Sequence, residues 1–239
     1  MICALCREEK TLRNSHIIPE FLYASLYDDK HRFQVLSVIP EQGNSFKQKG
    51  LKELLLCESC EQKFSVWEQY GSKVLVGGTS LQASRDANLW TIDGIDYQKF
   101  RLFQLSILWR AGVSKQQFFS YVQLGIHAEK IRQMLVTGMA CQPGVYSCVM
   151  FGLKFGSATA TDLMVQPKRT RIFDKVGYSF VFGGFLWLYI VARQQLTGQA
   201  LQTVLSEEGR TVILVKNAME MQSLKAFTDE LFRLGRVPY

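Results

Sequence analysis

Histidine and proline are scarce in this chain, three and five in 239 residues. No stretch reaches the roughly 20 consecutive apolar residues that a membrane-crossing helix needs. The nearest approach is VGYSFVFGGFLWLYIVA, residues 176–192, which is 17 residues long without a charge. Gly183-Gly184 interrupts it, and its aromatic and β-branched content predicts two buried strands or one long bent strand. There is no linker rich in Pro, Ser or Gly, no low-complexity tract, and no repeat with a period of about 20 to 50 residues, which excludes solenoids. The opening MICALCREEK sets acidic residues before any apolar run forms, so no secretory leader is expected. A cytoplasmic location follows as the expectation, with the six cysteines reduced. Also missing are a phosphate-cradling glycine loop, a serine-nucleophile motif and a dinucleotide fingerprint.

What is present is an ordinary globular composition, 47% hydrophobic and 21% charged, with a net charge of +7. The charge is uneven. Residues 1–75 carry 10 Lys/Arg against 10 Asp/Glu, and residues 76–239 carry 18 against 11. A basic body suits a polyanionic partner. Its densest run, Lys168-Arg169-Thr170-Arg171, reads equally as a solvated strand edge that resists edge pairing.

The pattern divides the chain into a module over 1–76 and a basic α+β domain over 77–239. In the first, residues 20–26 read as a short helix behind Pro19, 32–39 as a strand, and 43–50 as a polar loop. Phe64, Trp67, Gly71 and Val74 predict a helix from about residue 61 to 75, ended by Gly77-Gly78. In the second, Asp96 caps a helix over 97–111 with Phe100, Phe103, Ile107 and Leu108 as its apolar stripe and Gly112 as its stop. Ser114 caps another over 116–124, and 127–136 forms a third. From residue 145 to 216 the character turns to β, with strands of an antiparallel sheet. Asn217 then caps a closing helix over 218–234, with Leu224, Phe227, Leu231 and Leu234 on the face that packs on the sheet.

Two Cys-x-x-Cys pairs, Cys3/Cys6 and Cys57/Cys60, carry the clearest chemistry. In a reduced protein, four thiolates at this spacing make a tetrahedral zinc site, because both sulfurs of each pair reach one ion at about 2.3 Å. The 50 residues between the pairs leave room for an insertion. Between them stands Ser15-His16-Ile17-Ile18-Pro19, and Glu61 follows the last cysteine.

This arrangement resembles the zinc-stapled HNH (His-Me finger) endonucleases, whose pattern reads Cys-x-x-Cys, Asp-His-Ile-x-Pro, then Asn-Leu-x-x-Leu-Cys-x-x-Cys-His. The resemblance covers about residues 1–70 and implies a ββα-metal finger in which the cysteines hold zinc. It implies that His16 is the general base that activates water, and that Glu61, in place of the family's histidine, binds a catalytic Mg²⁺ or Mn²⁺. Ser15 stands where the family has Asp or His, and Lys52 or a neighbour where it has Asn; Glu20 or Asn14 is a further oxygen donor nearby. The function implied is a divergent metal-dependent endonuclease, a hydrolase of phosphodiester bonds in DNA, in a bacterial defence setting. The other readings are an inactive zinc module that binds nucleic acid or a partner protein, and a structural zinc staple on a domain for a small ligand. On those readings His16 bonds a backbone carbonyl and Glu61 is a first-turn acid on the helix dipole.

Among the remaining candidates, Cys141 and Cys148 read as buried thiols and His31 as a surface-loop residue. His127 is read as structural, Trp109 as core and Glu68 as solvated, while Arg110 stands at a helix end within reach of phosphate.

Overall fold

The computed structural model describes residues 1–35, 44–192 and 194–236. In the N-terminal module, β1 (Leu12–His16) is followed by two 3-10 turns, Glu20–Leu22 and Ala24–Leu26, and by the small pair β2 (Phe33–Val35) and β3 (Ser45–Lys47). The chain returns as β4 (Lys52–Cys57), antiparallel to β1, and runs without a loop into α1 (Glu58–Val76). A strand pair and a helix are therefore assembled around an insertion.

Local expectations for that insertion need correction. The helix expected over 20–26 is two 3-10 turns divided at Tyr23. The Tyr23 ring is fully buried and its hydroxyl accepts the Leu51 N–H, so the chain bends to seat it. The polar loop expected over 43–50 holds β3, and of the strand expected over 32–39 only Phe33–Val35 is strand, residues 36–39 lying outside the described ones.

The rest of the chain begins with a hairpin, β5 (Gln82–Asp86) and β6 (Leu89–Asp93). It continues with α2 (Tyr97–Val113), a 3-10 turn at Gln117–Phe119, and α3 (His127–Thr137). Strands β7 (Cys148–Phe155), β8 (Ala158–Thr159), β9 (Val165–Ile172), β10 (Lys175–Phe182), β11 (Phe185–Ile190) and β12 (Thr211–Asn217) follow. A turn at Ala218–Glu220, capped by Asn217, leads into α4 (Gln222–Arg233). One sheet runs β5-β6-β12-β7-β11-β10-β9, with β8 hanging on β7. Its neighbours are antiparallel except β12 and β7, which are parallel.

Residues 176–190 of that run form β10, from its second residue, and β11, joined at Gly183-Gly184. Both glycines take positive φ, 61° and 81°, as a tight hairpin turn requires. No helix among the described residues is long and apolar enough to cross a membrane. The hairpin β5–β6 was not legible in the sequence, because QASRD is exposed throughout and lacks an apolar alternation.

The sheet is covered on both faces. Tyr178, Phe180, Phe182, Trp187 and Tyr189 pack toward α2, in the same cluster that takes in Cys3, Leu56 and Phe64 of the N-terminal module. On the other face Ala218 and Leu224 meet Leu153, Val181 and Leu186, which is how the closing helix docks. The side chains of Phe227 and Leu231, expected on its apolar face, lie outside the described residues.

Instead of showing one apolar stripe, α2 is buried on every face from Phe100 to Ala111. Asp96 caps it, accepting from the Lys99 N–H, but Gly112 does not stop it. A Cβ at Gly112 would lie 2.3 Å from Leu124, so this glycine serves close packing. The helix expected over 116–124 is only the short turn. Ser114 does accept the Gln116 N–H, yet Ser114, Lys115 and Gln116 are drawn to Glu53 and the Lys52 carbonyl, and those contacts override local helix propensity.

Gly71 sets how closely α1 approaches α2, since a Cβ there would stand 2.7 Å from the buried Phe103 ring. Gly71→Ala is expected to cost about 1–3 kcal/mol by overpacking, despite its better helix propensity. A thermal melt reads this directly, and an unchanged or raised midpoint would contradict the close contact.

Candidate functional site

The first knuckle is a turn at Cys3–Cys6, closed by the Arg7 N–H donating to the Cys3 carbonyl with Arg7 at φ 64°. The Ala4 N–H bonds to the Leu55 carbonyl, which lays this turn against β4. The second knuckle sits where β4 becomes α1, so Cys57 ends a strand and Cys60 starts a helix. The Cys57 N–H donates to the Cys3 sulfur over 3.3 Å.

All four sulfurs lie within 4.8 Å of one another, and Cys6 Sγ is 3.8 Å from Cys57 Sγ. A tetrahedron with metal–sulfur bonds of about 2.3 Å has edges of about 3.8 Å. Cys3, Cys6, Cys57 and Cys60 are therefore close enough to hold one metal ion, and four sulfur donors suit structural zinc. Burial pushes the Cys6 and Cys60 thiols up. At Cys57 burial acts the same way but is outweighed by the Ser59 hydroxyl and the Cys60 N–H, which lower it to about 6.

Among the described residues these cysteines are the one group of three or more His, Cys, Asp or Glu whose ligand atoms converge so closely. The acids around His16 do not form a second such group.

His16 ends β1 opposite Lys52. Ile17 and Ile18 behind it are buried, and the Ile17 N–H bonds to the Leu51 carbonyl, so the apolar pair pins the backbone while the imidazole stays partly accessible. Its Nε2 lies 2.5 Å from Glu20 Oε2. The other Glu20 oxygen accepts from the Tyr27 hydroxyl at 2.7 Å, and that hydroxyl accepts the Gly50 N–H. The pair is close without being aligned as a hydrogen bond, so it is the charge of Glu20, more than a directed N–H, that acts on the ring. Burial and the nearby Lys52 lower the His16 pKa below its ordinary 6.5, against the pull of Glu20 and Glu68. The ring is neutral, and so basic, at neutral pH.

Ser15 does not take the place of a metal-binding acid. It is 2% exposed, its Oγ accepts the Leu56 N–H, and its hydroxyl stands against the Glu61 carboxylate. Burial raises the Glu61 pKa, partly offset by Ser15 and Arg110. Glu61 Oε1 is buried with no hydrogen-bond partner among the described residues. An orphaned carboxylate oxygen fits a hard cation, although it is one donor and not a cage.

Two residues have roles that differ from the sequence reading. Arg110 does not reach out to phosphate: it is 1% exposed, and Nη1 lies 2.6 Å from both the His16 carbonyl oxygen and Glu68 Oε1. Its Nε and Nη2 bond to Ser106, and the guanidinium lies 5.3 Å over the Phe64 ring. Glu68 is accordingly paired, not solvated. The central helix thus fixes the backbone at His16. Glu20, four residues beyond His16, is the carboxylate that stands beside the imidazole, and its i, i+4 spacing from His16 was the signal for it.

Arg110→Met is expected to cost about 3 kcal/mol, because it strands Glu68 and the His16 carbonyl in a low-dielectric setting. Thermal melting checks this. The double variant Arg110→Met/Glu68→Leu should recover most of the loss, whereas equal loss in both would contradict the pairing.

The other candidates fall in place. Trp109 is core, and Cys141 and Cys148 are free thiols, the second buried and the first half-buried. His31 is exposed at φ 54° and stacked on Tyr27, and His127 Nδ1 is 2.9 Å from the Tyr146 hydroxyl. No protein-family model, curated protein or solved structure matches the chain.

Proposed function

We propose that the chain is a divergent HNH-like endonuclease that hydrolyses phosphodiester bonds in DNA, with His16 as the base. What carries this reading is the dyad: a partly buried imidazole, 22% exposed, whose Nε2 lies 2.5 Å from Glu20, whose pKa is lowered, and whose backbone is clamped by a buried arginine. In this role Nδ1 removes a proton from water as its oxygen bonds to phosphorus and one ester P–O bond breaks. Glu20 stabilises the imidazolium that results. A Mg²⁺ or Mn²⁺ ion held by Glu61 and by substrate phosphate would supply charge neutralisation at the phosphoryl oxygens. The zinc staple holds β4 and the start of α1, and with them Glu61, beside the strand that ends in His16.

Supercoiled plasmid incubated with Mg²⁺ or Mn²⁺ tests this, and relaxation that requires the added cation is the expected result. Intact plasmid under every cation and pH would overturn the reading.

One observation favours the alternative of an inactive zinc module that binds nucleic acid or a partner protein. Ser15, at the position of the family's metal-binding acid, is committed to the Leu56 N–H. On that alternative the protein shifts DNA, or a partner, without cutting.

A further inference from the structure

The run Lys168-Arg169-Thr170-Arg171 lies on β9, the last strand of the large sheet, whose outer edge is unpaired among the described residues. Edge cations commonly do no more than discourage sheet-to-sheet pairing. Three observations give these a further role.

The first is direction. Cross-strand partners share a face of the sheet, and Arg169 pairs with Tyr178 while Arg171 pairs with Val176. Tyr178 is buried toward α2, and its hydroxyl donates to the Gln123 carbonyl. Arg169 and Arg171 therefore rise on the face of the sheet that carries α2 and the zinc module, whereas Lys168, opposite Ser179, lies on the other.

The second is continuity with His16. Lys52 is the cross-strand neighbour of His16, and its carbonyl accepts from Gln116 Nε2 at 2.7 Å. The next residue, Gln117, offers its carbonyl to Gln166 Nε2 at 3.2 Å, and Gln166 is on β9. One connecting segment thus ties the His16 strand pair to the basic edge, with Lys115 exposed along it.

The third is charge. Among the described residues, Lys52, Lys115, Arg169 and Arg171 have no carboxylate partner in an ion pair. Along β9 the neighbouring acids of the chain, Asp162 and Asp174, lie beyond the two ends of the strand, and at the other end of the segment Glu53 is taken up by the Ser114 hydroxyl and the Lys115 backbone N–H, which leaves the Lys115 ammonium outside any ion pair. Guanidinium groups with no internal acid are suited to phosphate, where the release of condensed counterions supplies affinity.

We propose that Arg169 and Arg171 at the β9 edge, together with Lys115 and Lys52, form a track for the phosphate backbone of duplex DNA leading to His16. The proposal rests on the reading of His16 as the cleavage site, and binding and cleavage test the two separately.

Fluorescence anisotropy of a labelled 30-base-pair duplex, in metal-free buffer over a salt series, compares wild type, Arg169→Gln/Arg171→Gln and His16→Ala. At about 100 mM salt the double variant is expected to bind roughly tenfold more weakly, with a salt slope lower by about two, one for each guanidinium removed from a phosphate. His16→Ala should bind as wild type does. Equal affinity and slope in the double variant would overturn the track and leave the cleavage reading standing. Weaker binding by the double variant, with no plasmid relaxation by wild type, would keep the track and sink the cleavage reading. Binding by wild type to anionic vesicles but not to the duplex would also overturn the track. Unchanged melting of the double variant, as expected for exposed positions, excludes misfolding as the cause.

Discussion

Replacing Cys60 with serine is expected to abolish stoichiometric metal and to lower the melting midpoint by about 10–20 °C. Cys60 is buried at the start of α1, and its sulfur belongs to the group of four that lies within 4.8 Å. Structural zinc contributes about 10–16 kcal/mol to folding in isolated fingers. Part of that is lost here, because an unfolded chain with four cysteines retains some affinity for the ion. A net cost of at least about 5 kcal/mol remains, and each kcal/mol moves the midpoint by about 2–4 °C at this chain length. The damage should spread beyond the module, since Cys3, Cys57 and Cys60 share one apolar cluster with Phe100 and Trp187. Metal loss should also follow acid, as protons compete for the thiolates. Elemental analysis and calorimetry of wild type and Cys60→Ser read both effects. A metal-free wild type with the same midpoint would contradict the zinc site.

His16→Ala is expected to reduce DNA cleavage by about 10²–10⁴-fold, the usual contribution of a positioned base. Fold and metal content should survive. The imidazole is partly exposed, and the clamp from Arg110 is made to the His16 carbonyl, which alanine keeps. A variant that cuts at the wild-type rate would remove His16 from the chemistry even with nuclease activity demonstrated.

The cysteines were legible because spacing encodes them: two residues between thiols is a local geometry, and the long gap only says that something is inserted. Helices α1 and α3 were legible for a similar reason, through periodicity, and the β content of β10 and β11 through composition, with the hairpin one of two readings beside a single long bent strand. Long-range contacts were not. Nothing in LWRAG announces that Arg110 turns inward to meet Glu68 and the His16 carbonyl, because the partners are 42 and 94 residues away. Likewise, the parallel pairing of β12 with β7 depends on where the β5–β6 hairpin and α4 dock, and no local pattern carries that. The exposed strand β5 had no apolar alternation to betray it. Glu20 lay in plain view, but its value as the partner of His16 depends on 3-10 turns that the sequence read as a helix.

The pH dependence of cleavage, measured for wild type and His16→Ala side by side, tests the assignment of His16 most directly. On the proposed role a neutral imidazole is the active form, so the wild-type rate should rise with pH and level off above a midpoint below 6.5, the ordinary histidine value from which burial and Lys52 depress it. The residual rate of His16→Ala should lack that limb. The same limb in both proteins, or a wild-type midpoint well above 6.5, would contradict the assignment.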